Sequence, residues 1–136
     1  METLYDQSYD VSATSIAHDV VRIGEKENGL FDIEWDVTFS FGFLTHTERM
    51  LWMNEDVDTL LEQLGRLKEQ GTLSTLSPGL SIAYEAYPHE EGLYRFAFWL
   101  DPGEMNSLIG TEAGFGLALL ATREALVEWL RALLPE

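Results

Sequence analysis

Phe31-Asp32-Ile33-Glu34-Trp35-Asp36-Val37-Thr38-Phe39-Ser40-Phe41-Gly42-Phe43 decides how this chain folds. Every odd position is apolar, the even positions through Ser40 are polar, and Gly42 closes the series. Successive side chains on a strand point to opposite faces, so the alternation describes one face turned to a core and one to water. At roughly 3.3 Å per residue the run would reach about 40 Å, long for a strand in a small domain. A bend or bulge is therefore expected near Gly42.

Upstream, Ile16, Ala17, Val20, Val21 and Ile23 give a β-prone run between Ser15 and Gly24. Glu25-Lys26-Glu27-Asn28-Gly29 follows, and Asn-Gly is a strong hairpin signal, with a loop of two residues or more and the turn type open. Residues 1–13 read as a leader, flexible or pinned at a sheet edge, ahead of one domain over 14–136. Downstream, residues 44–53 form another strand through Met50, Leu51, Trp52 and Met53. Asn54 then caps a helix whose first turn holds Glu55, Asp56 and Asp58, where the macrodipole favours anions. Val57, Leu60, Leu61, Leu64 and Leu67 make its apolar stripe, and Glu62 and Arg66 can pair on its wet side. Gly71 is expected to end this helix and to open a loop reaching Gly79.

Strands resume over Leu80–Tyr87 and Leu93–Leu100, and Asp101-Pro102-Gly103 has the chemistry of a turn. A polar loop to about Gly114 leads to a last strand through Phe115, Leu117, Leu119 and Ala121. Its remaining positions are small or apolar, which predicts cover on both faces and a central place. Thr122 opens a final helix with Leu126, Trp129, Leu130 and Leu133 facing inward. The order βββ-α-βββ-α describes a single α+β domain, mainly antiparallel β-sheet with two amphipathic helices packed on it. Val57, Leu60, Leu61 and Leu64 match Leu126, Trp129, Leu130 and Leu133 at a constant offset, a pattern any two sheet-packed helices would share.

The 136 residues carry 24 acids against 8 Lys and Arg, a formal charge of −16. Sixteen aromatic residues separate this chain from a disordered acidic tail. Such a charge repels phosphate backbones and anionic headgroups, so neither nucleic acid nor membrane is an expected partner. A basic protein would be drawn in, chiefly through a faster on-rate at low salt. The acidic amino terminus lacks the basic and apolar regions of a secretory signal, and a cytoplasmic location is expected. With no cysteine, the chain has no disulfides, thiolate metal sites or cysteine nucleophile.

No catalytic residues, metal ligands or cofactor are assigned from the sequence. His18, His46 and His89 lie far apart along the chain, and no phosphate-binding glycine loop or nucleophile elbow is present. His89-Glu90-Glu91, in a hairpin loop, and His46, beside Thr45, Thr47 and Glu48, are the places where a metal-dependent enzyme or ligand-binding protein would be built. Solvated loop side chains are the commoner role for such residues. Trp35, Trp52, Trp99 and Trp129 are all read as core packing. Asp32, Glu34 and Asp36 share one strand face at about 7 Å spacing and read as a solvated carboxylate ladder.

The layout formed by Asp32–Phe43, Glu55–Gly71, Leu80–Ala86, Gly92–Asp101 and Gly116–Leu134 resembles the small WapI-type immunity proteins, cytoplasmic partners that neutralise contact-dependent or wall-associated bacterial toxins. The resemblance implies a non-enzymatic bacterial domain that docks a basic toxin. The residues expected to steer that partner are Asp32, Glu34, Asp36, Glu55, Asp56 and Asp58. Type III secretion chaperones are a second group of similar size and acidity. They would imply a homodimer, which a free sheet edge would also permit.

Overall fold

The computed structural model describes residues 1–77, 79–100 and 115–135. The expected turn at Asp101-Pro102-Gly103 and the polar loop to Gly114 lie outside them. The fold is α+β, and among the described residues it comprises two four-stranded antiparallel sheets and three helices. The first sheet holds β1 (Glu2–Tyr5), β2 (Thr14–Ile23), β3 (Asp32–Phe41) and β4 (Leu44–Met53) in sequential order, with a short helix α1 (Tyr9–Ser12) between β1 and β2. Helix α2 (Asn54–Leu64) follows at once. The second sheet, β5 (Gln70–Leu73), β6 (Leu80–Ala86), β7 (Leu93–Leu100) and β8 (Phe115–Thr122), is also sequential and runs directly into α3 (Arg123–Arg131). Among the described residues each half thus has four strands followed by a helix, with α1 inserted in the first, one strand more in each half than the expected order.

The alternation in β3 is realised from Ile33 to Phe39: Ile33, Trp35 and Val37 are fully buried and Phe39 nearly so. It fails beyond. β3 stops at Phe41, Gly42 turns the chain at φ +61, and Phe41 and Phe43 are 59% and 95% exposed. The strand simply outruns the layer it covers. The bend expected near Gly42 is this hairpin turn, and a separate irregularity lies in β2, where the register with β3 shifts between Val20 and Arg22. Asn28 and Gly29 both take positive φ, +56 and +82, and Glu27 and Leu30 exchange backbone hydrogen bonds of 2.8 and 3.0 Å across them, a tight turn of the expected kind.

Three expectations about the ends of elements need correction. Met53, not Asn54, is the N-cap of α2. That helix ends at Leu64, not Gly71, because Gly65 and Arg66 tighten into shorter-range hydrogen bonds. Residues 71–73, expected as loop, pair with β6 in a strand that begins at Gln70. The other end of the chain also differs: β8 lies last in its sheet rather than at the centre. Its flank meets the first sheet, with the Gln7 amide donating to the Leu120 carbonyl at 2.7 Å and the Leu120 amide to Asp6 Oδ1 at 2.7 Å. These bonds occupy part of the free edge, while of its side chains Leu119 and Ala121 are buried and Leu117, Ala118 and Leu120 are half-buried.

The inner faces of the two sheets meet around aromatic rings. Phe39 and Phe98 stand 6.5 Å apart, and Trp129 of α3 lies 6.4 Å from Trp35 and 6.1 Å from Phe98. Val57, Leu60 and Leu64 of α2 and Leu126, Trp129 and Leu130 of α3 close the same core. Trp99 is the exception among the tryptophans: it points out from β7, is 53% exposed, and lies over Gly116 of β8, where a side chain would overlap its ring.

Candidate functional site

Because the odd side chains of β3 enter the core, Asp32, Glu34 and Asp36 must emerge on the opposite face, and all three are half-buried there. They do not form an open acidic row. Arg22 of β2 reaches Asp32 at 3.0 Å and Glu34 at 3.9 Å, and Arg49 of β4 reaches Glu34 at 2.8 Å and hydrogen-bonds to Asp36. Two guanidinium groups against three carboxylates leave this ladder close to neutral. The hydrogen bonds that Arg49 donates to Asp36, with the further attraction of Glu34, hold the Arg49 pKa above its ordinary value.

The three acids of α2 part company. Glu55 and Asp58 are exposed on a helix that packs against the inner side of the sheet, across from the ladder. Asp56 is fully buried. Its Oδ2 accepts the Met53 amide at 2.8 Å and the Ser77 hydroxyl at 2.6 Å, while Oδ1 accepts the amides of Leu76 at 2.8 Å and Ser77 at 2.9 Å. A carboxylate so occupied holds a loop against the helix start and presents nothing to a partner, which removes it from the surface set. The six sequence-selected acids are therefore not brought together into one patch.

A different acidic feature lies at the end of β3, beyond Asp32. Glu25 and Glu27, both exposed, stand above an open groove of about 560 Å³ whose lining includes Leu30, Phe31, Leu51 and Met53. Leu30 is 40% and Leu51 58% exposed. Asn54 fixes the loop that carries the two acids: its side chain accepts from the Phe31 amide at 3.1 Å and donates to the Gly29 carbonyl at 3.0 Å, and its amide donates to the Phe31 carbonyl at 3.0 Å. Among the described residues no ion pair involves Glu25 or Glu27. Sequence reasoning took this segment for a hairpin signal alone. Its two acids flanking a lysine beside Asn-Gly were visible, but the part of the apolar floor that β4 supplies, Leu51 and Met53, could not be.

The histidines separate by environment. His18 is buried, donates Nε2–H to the Trp129 carbonyl at 2.7 Å, and packs against the Trp129 and Trp35 rings. Burial lowers its pKa below 6.5 despite that hydrogen bond and the nearby Glu2. His46 is 2.8 Å from Glu48. His89 stacks edge-on against Tyr87 at 5.5 Å. Among the described residues no three His, Asp or Glu side chains are placed to hold a metal ion together. No described helix is long and apolar enough to cross a membrane. Comparison with protein-family models, with curated proteins and with solved structures finds no match to this chain.

Proposed function

We propose that this chain is a non-catalytic binding domain whose acidic exterior docks a basic protein, as an immunity protein docks a toxin. The observation that supports this reading is the way the charges are spent. Among the described residues, ion pairs engage five of the chain's eight Lys and Arg side chains, Arg22, Arg49, Arg66, Arg95 and Arg123. Exposed acids such as Glu25, Glu27, Glu55, Asp58, Glu90 and Glu91 have no such counter-ion among the described residues. A surplus of this kind raises the encounter rate with a cationic partner, and a few apolar anchors then set the dwell time.

The test is affinity capture from native lysate at low and high salt, followed by reconstitution of the captured protein in pure form. One basic protein, bound stoichiometrically with an affinity that falls steeply as salt rises, is the expected result. The charge-reversed variant Glu25→Lys/Glu27→Lys should lose it. A partner with no excess of Lys and Arg, or binding indifferent to salt, overturns the reading.

A further inference from the structure

The geometry points to the groove between the Glu25–Phe31 turn and the end of β4 as the docking point for a long cationic side chain, arginine or lysine, followed by an apolar residue of a basic protein. This assignment rests on the basic-partner reading and adds to it the place and the chemistry of contact.

Three features of the groove agree. Its rim is anionic: among the described residues Glu25 and Glu27 make no ion pair, and Asp32, which also lines it, spends only part of its carboxylate on Arg22. Its floor is apolar, with Leu30 and Leu51 well exposed and Phe31 and Met53 half-buried. An arginine or lysine has the same two-part character, a hydrocarbon stem that covers apolar surface and a charged head that stays at the wet edge. An acidic or purely apolar ligand would satisfy only one part. A polyanion would be repelled outright.

The third feature is rigidity. The turn is held from inside by the Glu27–Leu30 backbone pair and from outside by Asn54, and the Gly24 amide donates to the Asp32 carbonyl at 2.9 Å. A carboxylate on a fixed loop loses less entropy on pairing than one on a mobile tail, so a single charged contact here yields more net affinity. The Asp32–Glu34–Asp36 ladder has the opposite character. Its acids already have guanidinium partners, and a docking cation would have to displace Arg22 or Arg49.

The test is an amide NMR titration of the labelled full chain with the synthetic peptide acetyl-Arg-Leu-Arg-Phe-amide at low salt, with acetyl-Gln-Leu-Gln-Phe-amide as the control. The cationic peptide should shift amides of residues 25–32 and 51–54 in a saturable manner. Its affinity should drop at least about fivefold in Glu25→Gln/Glu27→Gln and stay unchanged in Glu90→Gln/Glu91→Gln, since a rim pair at this distance acts locally. Shifts of equal size with the glutamine peptide, or centred on the ladder or the Glu90–Glu91 loop, overturn the groove assignment. In the second of these cases the basic-partner reading would survive. Absence of any shift with the cationic peptide also overturns the assignment, and the salt-dependent capture then decides the broader reading independently.

Discussion

His18 and Trp129, 111 residues apart, are joined by a hydrogen bond of 2.7 Å from the imidazole Nε2–H to the indole residue's backbone carbonyl. Trp129 answers with its own Nε1–H, which donates to the Glu2 carbonyl at 3.3 Å. The last helix is thereby tied to the first two strands, and the tie passes through a titratable ring inside an aromatic cluster.

That ring makes stability depend on pH with a definite sign. Burial lowers the folded-state pKa of His18, against the favourable influence of the Trp129 carbonyl and Glu2. The unfolded chain therefore binds a proton near pH 6.5 while the folded chain does not. The stabilisation is complete above that pH and is lost as pH falls below it, at a rate of up to about 1.4 kcal/mol per pH unit. Urea unfolding at pH 7.5 and 5.5 should show a fall in wild type that exceeds the fall in His18→Gln. Equal falls would mean that the ring is already open to protons.

Asp56 should be the acid on which stability depends most. Removing its carboxylate strands three backbone amides and a hydroxyl, two of the amides in the loop at Leu76 and Ser77. Asp56→Ala is expected to cost about 3 kcal/mol or more, and Asp56→Asn less, because one oxygen survives to accept. Asp58→Asn, on the exposed side of the same turn, should change stability by less than about 0.5 kcal/mol. Chemical denaturation of the three variants measures this.

Phe39 and Phe43 have the same sequence parity and opposite surroundings. Phe39→Ala should cost about 3–5 kcal/mol and Phe43→Ser less than about 0.5, since the first ring fills the space against Phe98 and the second is almost wholly in water. Thermal unfolding of the pair checks it. A large loss in Phe43→Ser would mean that the turn tip has cover.

These contrasts mark what a one-dimensional pattern can carry. The period of two in β3 and the stripes of α2 and α3 were legible because burial on one face imprints itself on consecutive residues. Glu2–Tyr5 was legible only as a leader, flexible or pinned at a sheet edge, and Gln70–Leu73 not at all, since each is four residues long with a single buried side chain, Leu4 or Leu73, and owes its form to a neighbouring strand. Asp56 cannot be told from Glu55 or Asp58 along the chain, because what singles it out is a loop that arrives some twenty residues later. The ladder was read correctly as a row sharing one face, but its neutralisation by Arg22 and Arg49 depends on register with the strands at either side.

That neutralisation separates the ladder from the groove in function. Arg49→Gln would release Glu34 and Asp36 and make the first sheet's outer face more negative, with little effect on the unfolding midpoint because the pairs are solvent-screened. A ladder that docks the partner would then bind a cationic peptide more tightly. A contact made at Glu25 and Glu27 would gain at most a screened share of the freed charge at about 150 mM salt, since neither acid is a partner of Arg49. Less than about a twofold change in peptide affinity is the expected outcome, measured by the same amide titration. A marked gain in affinity, with shifts moving onto β3 and β4, would transfer the contact to the ladder.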